Sequence, residues 1–196
     1  MIEDFIGAKC RSGHFSRKTM IAAAVIGFSF GFGFAGSAVA GAPLQHKSAS
    51  MQCLDRRISV EADCFPNSSF TMCTRQSIRF SGADGQALGA RTFDARPLKG
   101  VDYPVVDEEF GELSCVETKA RKQFIVALMD NGGNCEQCEW VDVYSLEGVL
   151  LGSTRNGKTL RAELDAAVTA AFSNGSKGVL RRQALTDLYK LAPSRR

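Results

Sequence analysis

Histidine is almost missing from this chain of 196 residues: there are two, and only His46 lies beyond residue 40. A Ser–His–Asp or Cys–His nucleophile needs a rigidly placed imidazole, as does histidine-ligated zinc, so these chemistries find little support. No G-x-x-x-x-G-K-[ST] and no strand-linked G-x-G-x-x-G is present, which leaves phosphate and dinucleotide cradles without a basis. The carboxylates lack the D-x-D-x-D-G spacing of a calcium loop. Basic residues are not interleaved with aromatics, so nucleic acid is not an expected partner. No metal and no cofactor is therefore expected. Leucine is absent before Leu44, and the uncharged run from Met20 to Ala42 is rich in glycine, which makes it weak for a retained membrane span.

That run has another use. Arg17 and Lys18 precede it, and Ala38-Val39-Ala40 forms an A-x-A site, so residues 1–40 read as an export signal cleaved after Ala40. The expected location is periplasmic or secreted, with no stable membrane span after cleavage. No Leu-x-x-Cys precedes Cys53. Residues 41–52 are small and polar and read as a flexible leader. Residues 53–196 read as a single domain, β-rich over 53–153 and helical over 159–192. Beyond Ala40 the charge is nearly balanced, with 20 basic and 19 acidic side chains. The balance conceals an acidic body: residues 41–152 carry 11 basic and 16 acidic groups, and residues 153–196 carry 9 and 3. A basic tail docking on that body satisfies both.

Six cysteines remain after the signal: Cys53, Cys64, Cys73, Cys115, Cys135 and Cys138. An even number in an exported chain implies disulfides, and six allow 15 pairings. The expectation is a Cys135–Cys138 clasp, closing about four residues, with the other four forming two longer staples. Zinc on Cys64, Cys73, Cys135 and Cys138 is disfavoured, because the first two are nine apart and oxidation competes for the thiols.

The chain is organised around residues 124–152. Phe124, Val126 and Leu128 alternate with Ile125, Ala127 and Met129, which gives one strand two apolar faces and predicts an inner strand. Trp140, Asp142 and Tyr144 alternate with Val141 and Val143, a strand with one mixed face. Asp84-Gly85 predicts a hairpin turn, and Glu147-Gly148 repeats it; each turn is followed two residues on by Leu-Gly and a small residue. Two copies are too few for a repeat architecture. After Gly152 the period changes. Leu160, Leu164, Ala167, Val168, Ala171 and Phe172 predict a helix capped by Thr159 and stopped at Asn174-Gly175. Leu180, Ala184, Leu185, Leu188 and Tyr189 predict a second. The expected fold class is α+β: an antiparallel sheet of about five to seven strands with two C-terminal helices, stapled by disulfides.

For function, the expectation is a non-enzymatic binding or accessory protein, of inhibitor or immunity type, whose partner is a protein of the envelope or outside the cell. It would act through loops 102–112 and 131–137. The candidate contact residues are Asp102, Asp107, Glu108, Glu109, Glu112 and Asn134, with Trp140 and Tyr144 as anchors if they face outward. The alternative is a thiol–disulfide oxidoreductase on Cys135-x-x-Cys138. Against it, strand sequence follows Cys138, whereas a reactive thiolate is stabilised at a helix N-terminus, and Glu136 and Glu139 beside the sulfurs disfavour ionisation. A carboxylate acid–base pair among Asp107, Glu108, Glu109 and Glu112 is a weaker third reading.

Overall fold

The computed structural model describes residues 43–67, 70–131, 138–173 and 178–190. The expected signal with its cleavage after Ala40, together with Asn134, Cys135 and the Asn174-Gly175 helix stop, lies outside the described residues.

Nine antiparallel strands form two sheets among the described residues, where a single sheet was expected. The first sheet holds β1 (Gln45–Cys53), β2 (Arg56–Asn67), β3 (Phe70–Ser81) and β4 (Ala87–Phe93) in sequence order. The second contains β5 (Glu109–Glu117), β6 (Gln123–Asp130), β7 (Glu139–Tyr144), β8 (Leu150–Ser153) and β9 (Val179–Ala184), ordered β8-β7-β6-β5-β9. Among the described residues one α-helix, α1 (Ala162–Phe172), lies between β8 and β9 in the chain. No described helix is long and apolar enough to cross a membrane.

The two sheets share one apolar interior. Ile58, Val60, Ile78 and Phe80 from the first meet Phe110, Leu113, Ile125, Met129 and Tyr144 from the second, all fully or almost fully buried. The opposite face of the second sheet carries Val116, Phe124, Val126 and Val143, and α1 covers them with Leu164, Ala167 and Ala171. β6 is thus apolar on both sides because it has a layer on both sides, as its double alternation predicts.

Three local expectations are corrected. Residues 45–52, expected to be a loose leader, form most of β1, in register with β2 from Gln45↔Cys64 to Cys53↔Arg56. Small side chains hide the alternation, but Met51 and Cys53 point inward and are buried. The second helix is absent: its residues form β9 and a short 3-10 turn, Thr186–Tyr189. β5 is buried over Leu113–Val116, so its outer row of backbone donors and acceptors needs a partner, and β9 supplies it. That ladder outweighs the local helical period, while Leu185 and Leu188 still reach the interior. α1 itself starts at Ala162, after Arg161 instead of Thr159, with Glu163 and Asp165 in its first turn where the helix dipole favours negative charge.

The two hairpin turns have the same geometry. Gly82 N–H donates to the Gln86 carbonyl and Gly85 N–H to that of Gly82; Ser145 with Val149, and Gly148 with Ser145, repeat the pattern. Gly85 and Gly148 take φ of 83° and 85°, the left-handed conformation that glycine adopts freely. The turns also meet. A Cβ on Gly148 would sit 2.5 Å from the Phe80 ring, and one on Gly89 would sit 2.4 Å from the Glu147 carbonyl oxygen.

Disulfides join Cys53 to Cys115 and Cys64 to Cys73. The first ties β1 to β5 and so links the sheets. The second spans the β2–β3 hairpin.

Candidate functional site

The acidic candidates converge through strand register. Glu109 opens β5 and stands opposite Asp130, the last residue of β6; Asp130 in turn stands opposite Glu139, the first of β7. Directly paired residues project from the same face of a sheet, so these carboxylates form one row across three strands. The next row inward, Phe110, Met129 and Trp140, is buried between the sheets, so the acidic row projects away from that interior. Segment 102–108 leads into one end of the row, and residues 131–138 connect Asp130 to Glu139. The first stretch singled out in the sequence therefore leads to this end of the second sheet, while residues 132–137 of the other lie outside the described residues.

The surroundings of each carboxylate differ. Asp102 and Asp107 are exposed. Glu108 forms an ion pair with Arg155, whose guanidinium also lies 4.6 Å from the centre of the Trp140 ring. Glu112 is 3.1 Å from Arg182. Two basic residues of the C-terminal part thus dock on the acidic body, and these two glutamates are committed internally. Glu109 is half-buried; burial and then the nearby Asp130 charge push its carboxyl up to about 7.

Trp140 and Tyr144 are not outward anchors. Both are buried in the inter-sheet interior, on the face of the second sheet opposite α1. The aromatic–acid–aromatic face of β7 is an inner face because Asp142 has a cation there. Arg91 of β4 reaches Asp142 at 2.7 Å and the Tyr144 hydroxyl at 2.9 Å, joining the two sheets through a polar tie. Burial, followed by the Asp142 charge, keeps the Tyr144 hydroxyl protonated well above its ordinary range. Nothing in the local sequence around Arg91 announces this partner 51 residues away.

No family model, curated protein or solved structure matches this chain. The site must be read from its own geometry.

His46 sits on β1, not in a leader. Its Nδ1 is 2.8 Å from Asp63 Oδ1, and Arg75 lies 3.8 Å from the other oxygen. The carboxylate orients the ring, but among the described residues no serine or cysteine hydrogen-bonds to it. Cys138 is partly buried and directly precedes β7, so a strand and not a helix follows it, as its flanking sequence predicts. The expected Cys135–Cys138 pairing involves a residue outside the described ones. The sequence pattern gives Tyr189 no role beyond a helical face, yet its hydroxyl accepts the Phe110 N–H at 2.8 Å and donates to Gln76, whose amide donates to the Glu108 carbonyl at 2.8 Å. This chain holds the start of β5 in place. Among the described residues no group of three or more His, Cys, Asp or Glu side chains has metal-binding geometry.

Proposed function

We propose that this protein is an exported, disulfide-stapled binding or accessory protein, of inhibitor or immunity type, that acts on a protein of the envelope or outside the cell. The contact surface is the acidic end of the second sheet, with Asp102 and Asp107 flanking the row of Glu109, Asp130 and Glu139. The register that sets these carboxylates side by side carries the reading, because Asp130 and Glu139, aligned on neighbouring strands next to Glu109, favour a partner with lysine or arginine at matching spacing. Two disulfides suit such a surface: they fit an oxidising compartment and limit the entropy lost on binding.

The test is capture from envelope extract under non-reducing conditions, comparing residues 41–196 with the same chain carrying Asp130→Lys and Glu139→Lys. Reversing two rim charges should weaken the captured complex about tenfold, and added salt should weaken the unsubstituted one. Equal capture by both forms places binding elsewhere. The thiol–disulfide reading is separated by Cys135→Ser and Cys138→Ser. Under the binding reading they leave capture intact and abolish no reductase or isomerase activity.

A further inference from the structure

A second surface, independent of the acidic row, lies where the first sheet ends at β4. Arg91 of β4 reaches Asp142 and Tyr144 of β7, and Phe80 of β3 packs on the Tyr144 ring at 5.6 Å between centres. On the other side, Cys53 of β1 is bonded to Cys115 of β5. The first sheet therefore lies over β5 to β7, and β8 projects past its edge. Leu150 of β8 stands opposite Tyr144 and so projects from the same inner face. Tyr144 is fully buried beneath β3 and β4; Leu150, one strand further out, is 41% exposed. The edge beside it is open as well. Among the described residues β4 pairs only with β3, and no other backbone hydrogen bond reaches residues 87–93. Free edges are guarded by proline or by charge that a new neighbour would have to bury. β4 has no proline, and its one charge, Arg91, is turned inward and already neutralised by Asp142.

We propose that β4 accepts one extended segment of a partner protein as a fifth strand of the first sheet, with an apolar side chain of that segment closing over Leu150. The added main chain supplies the hydrogen bonds, and its alternate side chains supply selectivity. A second copy of this chain does not fit. Its β4 would bring its own β7 beneath it, into space that β8 already fills. The chain's own flanking segments leave from the opposite edge. The described residues begin beside β1 and end after the Thr186–Tyr189 turn, whose Leu188 shares a cleft with Ala49 of β1. That edge is three strands from β4, about 14 Å across the sheet. Charge sets the class of partner. The exposed charges at the ends of β4 are Asp84 in the preceding turn, Asp94 directly after the strand and Glu147 in the turn beside Gly89, against one cation, Arg96. The segment that fits is a short alternating strand, apolar inward, with lysine or arginine at its ends.

The experiment titrates isotope-labelled residues 41–196 with the peptide KTVTVTVTK, followed by nuclear magnetic resonance. Saturable shifts are expected at the amides of residues 87–93 and at the Leu150 methyls, with slower amide exchange along β4 as its outer N–H groups gain partners. Leu150→Ser should weaken binding about tenfold, and so should ETVTVTVTE in place of the lysine peptide. Because Leu150 is exposed, the variant keeps the fold, which unchanged Tyr144 and Phe80 resonances would verify. Asp130→Lys with Glu139→Lys should leave the β4 shifts as they are, so failure here and failure at the acidic row are told apart. No saturable shift up to about 1 mM peptide, shifts confined to Asp130 and Glu139, or equal binding by Leu150→Ser would each overturn the proposal. So would a dimer in sedimentation that Leu150→Ser dissociates, since a second copy would then occupy the edge.

Discussion

The two faces of the second sheet are held by different means. On the inner face, contact with the first sheet is reinforced by a disulfide, Cys53–Cys115, and by the Arg91–Asp142–Tyr144 tie. On the outer face, α1 is seated by aliphatic contact through Leu164, Ala167 and Ala171, with polar contacts only at its ends, where Lys122 pairs with Glu163 at 2.8 Å and Arg182 of β9 donates to the Ala171 carbonyl. The difference follows from what backbone hydrogen bonds can do. Ladders bind strands within a sheet and cannot join one sheet to another. Between the sheets the Cys53–Cys115 bond and the Arg91–Asp142 pair supply covalent and ionic ties that no ladder can. The helix satisfies most of its own backbone internally and needs an apolar seat with partners only at its ends.

Four sets of substitutions test that contrast, in order of expected effect. Replacing Cys53 and Cys115 by alanine removes a link across 62 residues and should cost about 4 kcal/mol in chain-entropy terms. The same change at Cys64 and Cys73, nine residues apart and on neighbouring strands, should cost about 3 kcal/mol. Denaturant unfolding of both variants beside the parent reads the difference; equal losses would mean that the inter-sheet position has no special weight. Next, Arg91→Met leaves the Asp142 carboxylate without its cation in the interior, at a cost of about 3 kcal/mol. Adding Asp142→Leu should recover most of that loss, because an apolar pair replaces a desolvated one. A double variant no better than the single one would mean that the tie stabilises by more than mutual neutralisation. The smallest effect is expected outside: Leu164→Ala should cost about 2 kcal/mol, since a helix resting on aliphatic contact can settle onto the smaller side chain. Thermal unfolding of that variant with unchanged inter-sheet amide protection would confirm that the outer layer loosens alone.

Legibility in the sequence followed how local the cause was. β6 could be read because its two apolar faces are written in consecutive residues. The two hairpin turns could be read because a left-handed turn residue demands Asp-Gly or Glu-Gly, and α1 because its stripe recurs within three turns. β1 was missed for the opposite reason: its turn to β2 is Leu54-Asp55, with Leu54 at φ 55° and no glycine or asparagine to mark it. β9 was misread because Leu180, Ala184, Leu185 and Leu188 do fit a helical period, while the hydrogen bonds that make it a strand belong to β5. The division into two sheets, the disulfide partners and the Arg91–Asp142 pair join residues far apart in the chain, and no short-range pattern encodes them. At the candidate site the acidic character was legible in composition, and the row across β5, β6 and β7 was not, because register is a tertiary property. Trp140 and Tyr144 face inward because the cation for Asp142 between them comes from the other sheet, which the β7 sequence does not show.

The pairing of β1 with β2 also bears on the order in which the sulfurs oxidise. A chain emerging amino end first exposes Cys53, Cys64 and Cys73 well before Cys115. Once β1 and β2 align, Cys53 lies beside Arg56, eight residues along β2 from Cys64, or about 27 Å at strand rise. Cys64 meanwhile stands opposite Cys73 and can close with it at once. The hairpin thus keeps an early thiol out of reach of the wrong neighbours until the right one is made. Mispaired species should accumulate only when that alignment is delayed.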